Sequence, residues 1–511
     1  PADQSQGDVT VNLSQENVLI VGSPQYGKTN VLQGILRSGC ERYSSDRLNF
    51  YIVDFASMLL KNFEASAHVG GVVLTTEEEK MENLFKLLLE EVGRRRALFA
   101  RQGVSSFSAY LEAGFGPLPQ IVLLIDNLTV MQELYPQQSE ALLSLSREGI
   151  SVGISAVAAN PQVSGVGFKY LLNFPRRIGL YCNDSGEYNT LFDRSRLEVD
   201  SVPGRALVEV DHQVVEAQMF LSFEGEREID RVREIRAFVE RSNSANSGLP
   251  ARKIPQVPET VTLAGLEADG YDLTVRNCRI PLGVDYATME LFHLDLMKGG
   301  FLAIAGGEGR GKTNLTRHIL RSIQDHIFDN LASLYIADDT GGLAAAEDYG
   351  CTAQFVRTAG EAKGMVEAAA ELLRQRRDTW DGGEAERLPL ILLVLSGREL
   401  TAALLQDSRT AENLLMIGKD MRRCKAFVLL SEVEDAPVNY ASSPVLKQIK
   451  ETHSMILLEN IGDIRMADIP LKLQKEFARD IRVGDGYSLL GGKVRKIRFV
   501  LDQDDEGREE P

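Results

Sequence analysis

The feature that most constrains this chain is a phosphate-loop motif that occurs twice. GxxxxGK[ST] is complete at Gly22–Thr29 (GSPQYGKT) and again at Gly306–Thr313 (GGEGRGKT), and the loop lysines Lys28 and Lys312 stand 284 residues apart. Each loop follows an apolar run that reads as a buried strand, Val18 to Val21 and Phe301 to Ala305, and leads into helical spacing, NVLQGILR and NLTRHILR. A second strand ending in acid comes next: LNFYIVDF closes at Asp54, and ASLYIADD closes at Asp338 and Asp339. A long polar helix then precedes another apolar strand, Pro119 to Leu128 in the first half and Leu388 to Gly397 in the second. Repetition of one order of elements, with strands and helices alternating, predicts an α/β chain of two tandem P-loop domains. Each is expected to be a mostly parallel sheet covered by helices.

A chain of 511 residues also exceeds what one hydrophobic core organises. Between the halves, Arg241 to Glu259 is rich in Ser, Asn and Pro and has no apolar period, which reads as a linker. The expected boundaries are 1–245 for the first module, 246–257 for the linker and 258–501 for the second module. An acidic tail follows at 502–511, with six acids to one arginine. The net charge of −17 argues against a nucleic-acid-binding surface, which is ordinarily basic. Five scattered cysteines without CxxC spacing and six histidines without ligand spacing suggest neither a disulfide framework nor a zinc site. The longest apolar runs, such as Ile121 to Ile125, fall far short of the roughly 20 residues of a membrane helix. A start at Pro1, with no leader, reads as an excised piece of a longer protein.

A phosphate loop works because glycines let backbone N–H groups turn inward around the phosphates, while the next helix presents its N-terminus to the negative charge. Gly22, Gly27, Gly306, Gly309 and Gly311 fit that demand. Gln25, Asn30 and Asn314, inside or directly after the loops, complete the expected nucleotide-contacting set. Lys28 and Lys312 are placed to reach the β- and γ-phosphates of ATP, and the hydroxyls of Thr29 and Thr313 to ligate Mg²⁺. Magnesium also needs a carboxylate at a neighbouring strand end, and Asp126 supplies it in the first module. Hydrolysing motors usually place a Glu next, whereas Asn127 can hydrogen-bond a water but cannot take its proton. Asn160, ending the strand Ser151 to Asn160, either orients a water or senses the γ-phosphate, or simply caps the turn before Pro161. Arg176 and Arg177 are candidates for arginine fingers acting in trans, weighed against ordinary pairing.

Aligning Pro119 with Pro389 places Ser396 where Asp126 stands and Gly397 where Asn127 stands. The second site is therefore expected to keep its phosphate cradle with neither metal carboxylate nor base at the usual place. Magnesium ligation by Thr313 is therefore in doubt, and the second site is expected to bind nucleotide structurally or weakly and to turn over little.

Taken together, GSPQYGKTNVLQGIL, LLIDN, GISAVAAN and VPGRALVEV resemble the FtsK/SpoIIIE branch of RecA-like motors. PLGVDYATMELFHLDL, GGEGRGKTNLTRHIL and GDGYSLL extend the resemblance through the second module, most closely to the EssC/EccC ATPases of type VII secretion systems, and nearer to the EssC type. The resemblance implies two C-terminal RecA-like ATPase modules of a longer protein with membrane helices, working at the cytoplasmic face of a bacterial membrane. It implies ATP and Mg²⁺ as cofactors, WXG100-type secreted proteins and other secretion-system membrane components as partners, and self-association through ATPase modules. An FtsK-type DNA translocase and a non-catalytic nucleotide-binding scaffold are the alternatives. The first would need a winged-helix reader and a basic channel, which the sequence does not display.

Overall fold

The computed structural model describes residues 7–192, 197–275, 278–298, 300–326, 332–378, 389–419, 425–439, 441–477 and 480–502. The chain divides into two compact units, Pro1–Gln256 and Val257–Pro511.

In the first unit the strands are β1 (Val18–Val21), β2 (Leu48–Asp54), β3 (Val69–Leu74), β4 (Gln120–Asp126), β5 (Ile154–Asn160), β6 (Arg176–Leu180), β7 (Arg205–Val210) and β8 (Gln213–Gln218). Among the described residues they form one sheet in the order β3-β2-β4-β5-β1-β6-β7-β8. It is parallel from β3 to β6 and turns antiparallel at β7 and β8. The central strands β1, β2, β4 and β5 are buried at every position. Helices cover both faces of such a sheet, so a strand between them must be apolar throughout rather than alternating. Successive side chains still point to opposite sides. Leu19 and Val21 join one core, in which α2 (Glu78–Gln102) places Met81, Leu84 and Leu88. Val18 and Ile20 join the other, which α1 (Lys28–Arg42) covers with Leu32 and Leu36.

The second unit contains β9 (Arg279–Asp285), β10 (Leu291–Asp295), β11 (Phe301–Gly306), β12 (Ala332–Asp338), β13 (Thr352–Val356), β14 (Leu390–Ser396), β15 (Ala426–Val433), β16 (Met455–Leu458), β17 (Asp485–Ser488) and β18 (Arg495–Phe499). Its order among the described residues is β10-β9-β18-β17-β16-β11-β15-β14-β12-β13. The six strands from β16 to β13 are parallel and repeat the first unit's arrangement from β6 to β3. The other four pair antiparallel. Among the described residues of the chain, no helix is long and apolar enough to cross a membrane.

The segment expected as a linker, 246–257, is for the most part bound as a strap on the first unit. Ala251 N–H donates to Ala67 O at 2.7 Å and Ile254 N–H to Gly70 O at 3.0 Å. Tyr51 Oη donates to Arg252 O at 2.7 Å, and the Ile254 side chain is buried in the α2-side core. Composition hides this because the strap needs glycine opposite it. A Cβ on Gly70 would stand 2.6 Å from Arg252 O, and one on Gly71 2.7 Å from Ile254 Cδ1. Of the expected acidic tail, only Asp502 lies within the described residues; it is buried and accepts from Arg321 Nη1 at 2.6 Å.

Candidate nucleotide sites

Both phosphate loops lie at the carboxyl end of the central parallel strand of their sheet, and they fold alike. Gly27 (φ 107°) and Gly311 (φ 99°) stand before the helices Lys28–Arg42 and Lys312–Gln324 in the left-handed region. Gln25 (φ 71°) adopts the same conformation as Gly309 (φ 69°), its counterpart in the other loop. Gly22 allows close approach, since a Cβ there would meet Leu180 Cβ at 2.6 Å. Lys28 Nζ donates to Gly22 O at 2.7 Å and Ser23 O at 3.0 Å. Burial lowers the lysine's pKa, against the nearby charge of Asp126.

Thr29 Oγ1 donates to Asp126 Oδ2 at 2.7 Å, so the loop hydroxyl and the strand-end carboxylate meet as the sequence implies. Burial pushes the Asp126 carboxyl up to about 6, against the stabilising bond from Thr29. A hydroxyl and a carboxylate side by side are hard oxygen donors suited to magnesium, and these residues fit the ion. Asp54, paired with Asp126 in the β2–β4 register, is not free for chemistry. It accepts from the N–H groups of Met58 at 3.1 Å and Leu60 at 2.9 Å, closing the turn after β2.

Four other expected site residues are committed elsewhere. Asn127 has φ 83°, and its Oδ1 accepts from Val130 N–H at 3.3 Å, capping the helix Leu128–Leu134. Asn160 Oδ1 accepts from both Thr129 N–H and Thr129 Oγ1 at 2.9 Å, and its Nδ2 donates to Gln162 O at 2.6 Å. Asn30 donates to Phe220 O at 2.8 Å and accepts from Ser222 N–H at 2.9 Å. Asn314 repeats this with Val500 O at 2.9 Å and Asp502 N–H at 2.8 Å. The residue after each loop threonine thus pins a returning segment, and its amide is not turned to the cradle.

The two arginines weighed as fingers are both engaged within the first unit. Arg176 pairs with Val18 at the start of β1, the strand end opposite the phosphate loop. Its guanidinium donates to Glu209 O and Thr10 O, while Arg177 donates to Leu191 O at 2.5 Å and Leu171 O at 3.0 Å. Sequence reasoning also left unassigned a contact on the first loop from the start of β7. Gly204 N–H donates to Tyr26 O at 3.0 Å, Tyr26 Oη bonds Ser201 Oγ at 2.7 Å, and the Tyr26 and Tyr181 rings lie 4.4 Å apart.

In the second unit Ser396 pairs with Asp338 as Asp126 pairs with Asp54, so the repeat alignment is structurally right and the usual place has no acid. Asp339, the other acid noted there, accepts from Leu400 N–H at 3.1 Å at the head of the helix Arg398–Gln406. A carboxylate nevertheless reaches the loop from the next strand. Thr313 Oγ1 donates to Glu432 Oε1 at 3.0 Å, and Lys312 Nζ lies 3.2 Å from Glu432 Oε2 and donates to Gly307 O at 2.6 Å. Thr313, in doubt as a magnesium ligand when only the Ser396 position is considered, thus has a carboxylate beside it. The signal was in LLSEVED, a strand ending in acid, but alignment by strand order directs attention to β14 and not to β15.

Residues 2–162 match the FtsK/SpoIIIE family. The chain is 26% identical to the ESX secretion system protein EccC of Geobacillus thermodenitrificans, over 98% of its own length and 34% of that protein. It is 24% identical to YukB of Bacillus subtilis, over 98% of its length and 33% of that protein. It thus spans about a third of the length of these curated relatives. The solved ATPases 2 and 3 of Geobacillus thermodenitrificans EssC superpose with a TM-score of 0.81 at 25% identity, covering 98% of this chain and 94% of that one. Those of Thermomonospora curvata EccC, solved in complex with a signal sequence peptide, share the fold with a TM-score of 0.68 at 18% identity, over 96% and 90% of the two chains. Over residues 2–162 the chain is therefore similar to the FtsK/SpoIIIE family, and over nearly its whole length it is similar to the EccC/EssC ATPases of type VII secretion systems and shares their tandem RecA-like fold.

Proposed function

We propose that this chain is the ATP-binding coupling part of a type VII protein secretion apparatus, whose first unit binds and slowly hydrolyses ATP while the second serves recognition and hydrolyses little. The observation that carries the first half is the Thr29–Asp126 bond beneath a complete phosphate loop. Lys28 would hold the β- and γ-phosphates, and Thr29 and Asp126 would hold magnesium, which when bound offsets the charge on the phosphates. Slow turnover follows from Asn127, an amide that caps a helix where a motor would place a proton-accepting carboxylate.

Recognition of WXG100-type proteins rests on kinship, since the Thermomonospora curvata relative was solved with a signal sequence peptide. In this chain the second unit has a cleft of about 560 Å³ at the strand end opposite its loop, lined in part by Val438, Lys447, Lys450, His453 and Leu489. That volume suits a few peptide side chains. By the same kinship the chain works at the cytoplasmic face of the cell membrane, with the secretion system's membrane components and further copies of its ATPase modules as partners. No DNA-translocating role is proposed, given the net charge of −17.

The test measures ATP turnover and nucleotide affinity together on wild type, Lys28→Ala and Asp126→Ala. Low turnover that disappears in both variants, with binding at the first site lost in Lys28→Ala, is the expected result. Turnover unchanged by either substitution sinks the ATPase reading. Fluorescence anisotropy with a labelled C-terminal peptide of a WXG100-type protein tests recognition, and absence of saturable binding removes it.

A further inference from the structure

We propose that Glu432 is the metal-holding carboxylate of the second phosphate loop, acting from β15 as Asp126 acts from β4, so that the loop Gly306–Thr313 takes nucleotide as its magnesium complex. The inference rests on the reading that this loop binds nucleotide, and adds to it the residue that governs its metal dependence.

Three observations converge. The first is the repeated contact: each loop threonine gives its hydroxyl to a carboxylate, Thr29 to Asp126 at 2.7 Å and Thr313 to Glu432 at 3.0 Å. The second is the vacated position, since Ser396 occupies the register of Asp126, is buried, and cannot carry charge.

The third is the backbone that delivers Glu432. Along β11 and β15, Ala303 pairs with Leu430 and Ala305 with Val433, so Ser431 and Glu432 together stand opposite Ile304. The matching β1–β5 pair runs in register to Val21 and Asn160 without such an insertion. An inserted residue bends a strand and re-aims a side chain, and such bulges gather at functional sites. Glu432 itself has φ 61°, a conformation that costs a non-glycine residue energy. Backbone strain at a carboxylate that points into a phosphate loop is an outlier from which a role can be inferred.

Chemically the pair is suited to the task. A threonine hydroxyl and a carboxylate are the hard oxygen donors that magnesium takes alongside nucleotide phosphates. Lys312, now 3.2 Å from the same carboxylate, is free to turn to the phosphates once they bring their own negative charge. The competing role is a plug: a carboxylate that only neutralises Lys312 would oppose phosphate entry whether or not metal is present.

The experiment uses the full chain carrying Lys28→Ala, which silences the first site, and titrates ATPγS in excess Mg²⁺ and in EDTA. Binding is expected to be tighter with metal, by about tenfold or more. Glu432→Gln is expected to remove that gain while keeping the metal-free affinity. Thr313→Ala should remove the same gain, and the double variant should be no worse than either single one, because one contact is being deleted twice. The proposal is overturned if Glu432→Gln keeps the metal-dependent gain, if it tightens binding with and without metal, or if the two losses add. No binding to the Lys28→Ala chain, with Lys312→Ala no different, removes the reading of the second loop as a nucleotide site and the proposal with it.

Discussion

Thr29 and Asp126 are joined by a 2.7 Å hydrogen bond across 97 residues of chain, and this bond ties the phosphate loop to the end of β4. In a sheet whose strand order differs from chain order, a loop after one strand and an acid ending another are brought together by pairing alone. The same relation recurs in the second unit with a different acid from a different strand.

Asp126→Asn keeps the shape and the contact with Thr29 but removes the charge. Because the wild-type carboxyl is buried and pushed up to about 6, losing its charge should not weaken the fold in the absence of ligand. Magnesium-dependent nucleotide affinity at the first site is expected to fall by about 10–100-fold. Calorimetric titration with and without Mg²⁺, in a Lys312→Ala background, reads the difference. An unchanged metal dependence would take Asp126 out of the site.

Asn127→Ala removes a helix cap and puts alanine at a left-handed position. We expect a loss of about 1 kcal/mol or somewhat more in chemical denaturation. ATP turnover should stay within about twofold of wild type, as for a residue outside the reacting centre. A loss of turnover beyond tenfold with normal nucleotide affinity would move Asn127 from capping into the chemistry.

Arg95 is fully buried, donates to Glu91 Oε1 at 2.7 Å, and holds the carbonyls of Val152 at 2.8 Å and Pro119 at 2.7 Å. It thereby ties α2 to the segments entering β4 and β5. Arg95→Met leaves the carbonyls of Val152, Gly153 and Pro119 without their donor and Glu91 with Arg94 as its remaining partner, and should cost about 3 kcal/mol. A urea midpoint close to wild type would count against this role.

His318 is buried in the helix Lys312–Gln324, with Nε2 2.7 Å from Pro281 O. Burial lowers its pKa from 6.5, with Arg321 acting in the same direction and Asp502 and Asp325 opposing. Below pH 6.5 the unfolded chain takes a proton that the folded chain refuses. Its contribution is therefore full above that pH and is lost as pH falls below it. Thermal melts of wild type and His318→Gln between neutral and mildly acidic pH should diverge, with the variant losing less stability on acidification. Parallel curves would show that His318 is not a source of acid lability.

The local parts of this protein were set by sequence alone. Two phosphate loops with the strand before and the helix after are contiguous patterns, and the parallel sheet is legible because β1, β2, β4 and β5 are apolar at nearly every position. Asp126 and the Ser396 substitution could also be found, because the halves repeat the same order of elements and the β2–β4 and β12–β14 registers pair Asp54 with Asp126 and Asp338 with Ser396. Tertiary structure decided everything that depends on which strand end lies beside which loop. A one-residue bulge brings Glu432 to Thr313. Asn30 and Asn314 hold returning segments, and Arg176 and Arg177 are committed to carbonyls away from the loop. The glycines of β3 admit the strap at 251–254. The physical reason is common to all of these. Sequence spacing records what neighbours along the chain can do, while a polar side chain's task is set by whatever unsatisfied group the fold places within 3 Å or so of it.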